Sequence, residues 1–246
     1  MDRGLYVAMT GAKQIMQAQA VNNHNIANIS TIGFRADAVS FSSLPIYGPG
    51  YATRVNAVAG DAGTDFSSGV LQTTGRDLDI AVTGKGFIAV QGRDGKEAYT
   101  RAGDLRLTPN GAVITASGLP VMSESGPLNI PPSTVVSIGN DGTISAVPEG
   151  SAPFAVTQVD RIKLVNPATA DLQKGDDGLL RLKSGGKAKA DDTVSISSGM
   201  LESSNVNPAQ SLISMIELQR LYEFQIKSIN STDTNEQSAE RMMLTS

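Results

Sequence analysis

The sequence predicts an α+β protein in which long N- and C-terminal helices pair as a coiled-coil-like core around a central, mainly antiparallel β domain. Three observations predict it. Of the 25 glycines, all but Gly4 and Gly11 lie between Gly33 and Gly199, and every proline but Pro208 lies between Pro45 and Pro167. Inside that turn-rich middle, Asp-Gly or Asn-Gly pairs fall at 94–95, 110–111, 141–142 and 177–178, the strongest short-range hairpin signal. Both ends, poor in helix breakers, carry apolar residues at helical spacing. The implied division is an N-terminal helix within 1–35, an extended linker over 36–68, a β domain over 69–198 and a C-terminal helix within 199–246.

Numbered in sevens, the N-terminal stretch has one seam of Leu5, Ala12, Gln19 and Ile26 and an adjoining one of Ala8, Ile15, Asn22 and Ile29. Met9 and Met16 widen the stripe. Apolar ends with a polar middle at Gln19 and Asn22 match a coiled-coil seam whose polar positions set register. An ordinary amphipathic helix on a core gives the same pattern. The outward face separates the two readings, because Lys13 is the only charged residue between 4 and 33. A solvated helix face normally carries many charges, so an uncharged polar face points to contact with other protein.

In the middle, Val135–Ile138 and Thr143–Val147 bracket the turn Gly139-Asn140-Asp141-Gly142, and Phe87–Val90 and Ala98–Thr100 bracket Asp94-Gly95. Short strands at this spacing predict an antiparallel sandwich or barrel-like domain. Residues 36–66 and 183–195 have weak periodicity and read as loops or linkers. At the C-terminal end, Asn207-Pro208-Ala209-Gln210 reads as N-cap, first helical position and a capping-box variant at the third. One stripe of the helix starting there is Leu212, Met215, Gln219, Tyr222, Ile226 and Ile229, and a second set, Leu218, Leu221 and Phe224, points elsewhere around it. A helix apolar on more than one side is buried on more than one side. The two ends therefore need more partners than each other.

Composition removes most catalytic chemistry. The chain has no cysteine, no tryptophan and one histidine, His24, so thiolate sites, multi-histidine metal sites and a Ser-His-Asp triad away from His24 are excluded. A net charge of −4 argues against electrostatic binding to nucleic acid or anionic lipid. No run of 18 apolar residues is present, so no membrane-spanning helix is expected. Residues 4–12 imitate a secretory signal, but Asp2 spoils the basic start and Lys13, Gln14 and Gln17 interrupt the apolar stretch. The protein then either stays in the cytoplasm or leaves by a route needing no such signal.

The remaining candidates have structural readings. Gly84-Lys85-Gly86-Phe87-Ile88-Ala89 matches a dinucleotide fingerprint, but that motif needs a helix next, and Phe87–Val90 reads as a strand; a hairpin turn is the simpler use. Asp77 and Asp79 sit two apart on a predicted strand, with Arg76 at hand for a structural ion pair. Asp176-Asp177 and Asp191-Asp192 read as solvated turns, and His24, among Asn22, Asn23 and Asn25, as a hydrogen-bonding interface residue. No catalytic residue, metal or cofactor is expected.

Several segments together resemble a known family. Asn25-Ile26-Ala27-Asn28-Ile29-Ser30-Thr31-Ile32-Gly33-Phe34 resembles the N-x-A-N-x-x-T-x-G-F signature of bacterial flagellar rod and hook proteins. Leu201-Glu202-Ser203-Ser204-Asn205-Val206 resembles the entry to that family's C-terminal helix, and Met215-Ile216, Arg220, Tyr222-Glu223, Gln225 and Lys227 match the pattern of the helix itself. Leu78-Asp79 with Gly84, Gly86 and Phe87, then Tyr99-Thr100-Arg101 and Gly103, resemble the central β motif; Asp77 stands where relatives usually carry proline. The opening residues and the length are most similar to proximal-rod members, and distal-rod and hook members share every motif. The resemblance implies a non-enzymatic subunit of the flagellar basal body, exported through the flagellar type III apparatus without signal cleavage. It would assemble in the periplasm with itself and other rod proteins into a helical, torque-transmitting tube, terminal helices inside and β domain outside. Nucleic-acid binding and membrane insertion are not implied. A reading from another class is a periplasmic glycan-binding or peptidoglycan-cleaving β domain with helical arms.

Overall fold

The computed structural model describes residues 3–45, 55–131, 133–148 and 156–244. The chain divides into two compact units: Met1–Asn28, Asp37–Asp65 and Val206–Ser246 form the first, Ile29–Ala36 and Phe66–Asn205 the second.

The first unit holds helix α1 (Arg3–Ala27), strands β1 (Asp37–Pro45) and β2 (Val55–Thr64), and helix α2 (Pro208–Leu244). The cap read from sequence is present: Asn207 Oδ1 accepts from Ala209 N at 3.0 Å and Gln210 N at 3.2 Å, leaving Pro208 at the position where a missing N–H costs nothing. α1 stops at Ala27, where Asn28 N is shared between the His24 and Asn25 carbonyls and Asn28 Nδ2 also donates to the His24 carbonyl at 2.9 Å. Ile29, read as a seam position, therefore lies beyond the helix, half-buried in the second unit.

Much of the segment read as a linker is an antiparallel hairpin, β1 on β2, running from Asp37↔Thr64 to Pro45↔Val55. Its sequence lacks a clear period of two because neither face is fully buried: Phe41, Leu44, Val55 and Val58 are exposed and Val39 is only half-buried.

The second unit is built from β3 (Leu71–Thr73), β4 (Ile80–Thr83), β5 (Phe87–Gln91), β6 (Glu97–Thr100), β7 (Leu105–Leu107), β8 (Val113–Thr115) and β9 (Ser133–Ile138). It continues with β10 (Thr143–Pro148), β11 (Thr157–Arg161), β12 (Leu164–Val165), β13 (Leu172–Lys174), β14 (Leu180–Leu182), β15 (Ser195–Ser198) and β16 (Met200–Glu202). Among the described residues the largest sheet has the order β12-β5-β6-β14-β13, beside a β11-β10-β9 sheet and the pairs β15-β4, β16-β3 and β7-β8. All four Asp-Gly or Asn-Gly pairs lie at turns between paired strands: β5–β6, β7–β8, β9–β10 and β13–β14.

Central strand β5 shows how the core is made. Alternate side chains point to opposite faces, and both faces are covered, so Ile88 and Val90 join one apolar cluster with Ile80, Leu105, Ile144 and Ile196. Phe87 and Ala89 join another with Tyr99, Leu172 and Leu180. A strand buried on both faces reads as a continuous apolar run, as Phe-Ile-Ala-Val does. Tyr99 is fully buried, and that burial pushes its phenol pKa up to about 12, with Glu97 beside it adding to the rise and the Ala188 N–H opposing it.

Three local readings change. The Gly84–Gly86 turn is not a hairpin: β4 pairs with β15, whereas β5 pairs with β6 and β12, so the chain changes sheets there. Strand β4 starts at Ile80, which leaves Asp77 exposed in a turn while Asp79 is buried, so the two carboxylates share no face. Residues 200–202 form β16, paired with β3, before α2 begins at Pro208.

Candidate assembly interface

Within the first unit α1 and α2 pack together, and the buried stripe of α1 is built from small residues. Ala8, Gly11, Ala12, Ile15 and Ala18 are buried, at spacings of three and four. The helices run antiparallel: Asn22 Nδ2, near the end of α1, donates at 2.9 Å to the carbonyl of Ser211 in the first turn of α2, whereas Gly11 faces Gln225 further along. A Cβ at Gly11 would stand 3.3 Å from the Gln225 side chain. This close approach is what the small residues permit. With 25 and 37 residues, α1 is about 37 Å and α2 about 55 Å long, so α2 is the longer by roughly three turns.

The predicted interface residues divide into two groups. Ala8, Ala12 and Ile15 face inward within the chain; Leu5, Gln19, Asn22, Ile26, Met215, Leu218, Tyr222 and Ile229 are half-buried. Met9 and Met16 are 52% and 57% exposed, and Leu212, Ile216, Leu221, Phe224 and Ile226 are exposed, Phe224 to 67%. Sequence reading missed Gly11, Ala18 and Ser211 on the helix contact; the run of small residues at helical spacing was the available signal for the first two.

At the end of α1, Asn25 acts as a piece of backbone. Its Nδ2 donates to the Asp37 carbonyl at 2.8 Å and its Oδ1 accepts from Asp37 N at 2.9 Å, anchoring the start of β1. His24 Nδ1 lies 2.9 Å from Asp37 Oδ2, so its acid partner comes from the hairpin, 13 residues away. Between the helices and β1, Ala18, Val21, Val39, Phe41, Leu218 and Leu221 help line a groove of about 280 Å³.

The other motif residues meet in the second unit. Glu202 is fully buried, and its carboxylate accepts from Arg35 Nη2 at 2.7 Å, Arg101 Nη1 at 2.8 Å and Gly69 N at 2.8 Å. Gly33 N donates to the Glu202 carbonyl at 2.8 Å, and Gly33 adopts φ +67° where a Cβ would fall 2.3 Å from the Arg101 carbonyl carbon. Phe34 is buried with the Lys174 ammonium 4.0 Å over its ring. Asn205 Oδ1 accepts from Ala36 N at 2.8 Å, and its Nδ2 donates to Ser67. Gly84 has its own use here: Arg101 donates to the carbonyls of Val82 and Gly84 and stacks 5.3 Å over Phe87, so the glycine turn cradles a guanidinium rather than a pyrophosphate. Gly86, at φ +128°, leaves no room for a Cβ against Val194. Burial lowers the Arg101 pKa, and Glu202 opposes that shift. Leu78 packs on the main core, Asp79 lies 3.5 Å from Arg76, Leu201 sits half-buried in β16, Val206 is buried in the first unit and Thr31 is exposed. Arg35 is the central residue that sequence reading gave no role.

The arrangement offers charge pairing and packing rather than bond-making chemistry. Among the described residues no group of three or more histidine or acidic side chains is placed to hold a metal, and no helix is long and apolar enough to cross a membrane.

Comparison with known proteins bears on the same elements. The family described as flagellar hook protein FlgE/F/G D1 domain matches residues 81–146, and the family described as flagellar basal body rod FlgEFG protein C-terminal matches residues 197–242. The flagellar basal-body rod protein FlgF of Salmonella typhimurium is 40% identical over 249 residues, covering 99% of each chain. FlgF of Escherichia coli K12 is 39% identical with the same coverage, and the rod protein FlgG of Bacillus subtilis is 32% identical over 95% of this chain and 96% of its own. A match of this extent, running through both terminal helices and the β unit, places the chain in the bacterial flagellar basal-body rod protein family.

Proposed function

We propose that the chain is a structural, non-enzymatic subunit of the proximal rod of the bacterial flagellar basal body, and that it polymerises through α1 and α2. The supporting observation is the apolar surface left over once the two helices have paired: Tyr6, Met9 and Met16 on α1, and Leu212, Ile213, Ile216, Leu221 and Phe224 on α2, are all exposed. Large apolar side chains left exposed along both helices in this number point to contact with other protein. Its partners are further copies of the chain and other rod proteins, reached after export by the flagellar type III apparatus. The axial tube transmits torque, which suits subunits joined along long helices and held internally by buried ion pairs.

The test is Ile216→Asp with Phe224→Asp, scored by swimming and by basal-body isolation, with export into the periplasm monitored in parallel. Burying either side chain is worth about 1.5–3 kcal/mol, repeated at every contact in the polymer. The variant should be exported and stay folded but fail to build a rod. Normal swimming and normal rods would refute the assignment of these faces to assembly.

A further inference from the structure

On α1, away from the buried Ala8, Ala12 and Ile15, the exposed residues Tyr6, Met9, Lys13 and Met16 follow one another at steps of three, four and three. Side chains so spaced stand above one another on one side of a helix. Helix α2 carries the same pattern in reverse. Read backwards, Phe224, Leu221, Glu217 and Ile213 are exposed at steps of three, four and four. Laid antiparallel, Tyr6 meets Phe224, Met9 meets Leu221, Lys13 meets Glu217 and Met16 meets Ile213. Aromatic then faces aromatic, apolar faces apolar and base faces acid. Lys13 is the only charged residue between 4 and 33, and neither it nor Glu217 makes an ion pair among the described residues.

The surroundings of the α2 stripe agree in sign. Glu217 and Leu221 wall the groove against Val39 and Phe41 of β1, and its two charged lining residues, Asp37 and Glu217, are both acids. The other exposed apolar side of α2, through Leu212 and Ile216, continues to Arg220, Glu223 and Lys227 and is basic on balance, which disfavours Lys13. Within one chain Gly11 faces Gln225 and Asn22 meets Ser211, an arrangement that leaves both stripes exposed. A contact between the stripes therefore joins different surfaces of two copies; such a heterologous contact can repeat along a filament. Polarity follows as well. Since α1 and α2 are antiparallel within a chain, α1 of one copy runs antiparallel to α2 of the next only when both copies point the same way.

Resting on the reading of the chain as a polymerising subunit, we propose that the stripe Tyr6, Met9, Lys13 and Met16 of one copy docks antiparallel on Ile213, Glu217, Leu221 and Phe224 of the next, Lys13 pairing with Glu217. The chain has no cysteine, so Met9→Cys with Leu221→Cys places one thiol on each stripe of the full-length protein. Basal bodies isolated from cells carrying this variant are treated with a short bismaleimide and run on denaturing gels. Dimers and higher multimers of the chain are expected. Met9→Cys with Gln219→Cys, whose second thiol lies on the far side of α2, should stay monomeric. Independently, Lys13→Glu and Glu217→Lys should each cut incorporation into rods and swimming, and the two together should restore both. Rods that contain the Met9, Leu221 variant but yield only monomer would overturn this pairing and leave polymerisation through the helices standing. Single charge variants that fail without rescue by the double exchange would put another rod protein on the stripe, and so overturn the second copy. Should the cysteine variant stay out of rods, the charge exchange decides alone. Absence of the wild-type chain from isolated rods would instead refute its reading as a subunit, and the pairing with it.

Discussion

Replacing Glu202 by glutamine removes the one negative charge from a place that holds two arginines. The side chain keeps its shape, but its amide nitrogen now faces a guanidinium donor, and three charge-assisted or backbone hydrogen bonds of 2.7–2.8 Å lose the charge that shortens them. Glu202 is 0% exposed, so water does not replace it. Removing one partner of a buried ion pair typically costs 3–5 kcal/mol, because the remaining charges stay buried. For a β unit of this size each kcal/mol lowers the melting temperature by about 2–4 °C, so Glu202→Gln should lower it by roughly 10 °C. Thermal and urea unfolding of the full chain, monitored by near-ultraviolet tyrosine dichroism, measure this. Glu217→Gln on an exposed position of α2 is the reference and should shift stability by less than about 0.5 kcal/mol. Adding Arg35→Met should cost less than the sum of the single changes, since the two residues share one interaction. A loss below about 1 kcal/mol for Glu202→Gln would show that the cluster does not hold the unit together.

The same geometry gives further expected outcomes. Gly33→Ala should destabilise the β unit by at least about 2 kcal/mol in the same assay, because the new methyl meets Arg101 and Ala102 backbone at 2.3–2.4 Å and the backbone lies at φ +67°. In an alkaline titration monitored by phenolate absorbance, Tyr99 should ionise near pH 12 when folded. Since that value lies above the unfolded one near 10, the stabilisation is complete below pH 10 and is lost between about pH 10 and 12, the folding constant falling at most tenfold per unit. Amide exchange of dilute full-length protein should protect the strands from Ile80 to Ile144 and leave Leu5–Ile29 and Leu212–Ile229 open. The helix pair buries few large side chains, and folding on assembly would avoid exposing the rest; strong protection of both ends in the monomer would refute that.

How much was legible in the sequence depended on whether the determining interaction was local. The cap at Asn207-Pro208 and the turns at Asp94-Gly95 and Asp141-Gly142 act within a few residues, and their chemistry can be read from those residues alone. The helical stripes and the charge-poor outer face of α1 are likewise periodic properties of a short window, and they identified both ends as helices with unmet contacts. Register and partner choice were decided only by tertiary structure. Gln19 and Asn22 looked alike as polar seam positions, but whether either met a carbonyl depended on where α2 lay, and it was Asn22 that found Ser211. The β1–β2 hairpin escaped detection because its strands bury neither face fully and so carry no alternation. The largest gap was the Glu202 cluster: its three charged residues stand at 35, 101 and 202, and isolated charges in sequence carry no sign of burial. Only the fold brings the carboxylate and two guanidiniums out of water together, and burial is what turns ordinary surface residue types into the electrostatic centre of the β unit.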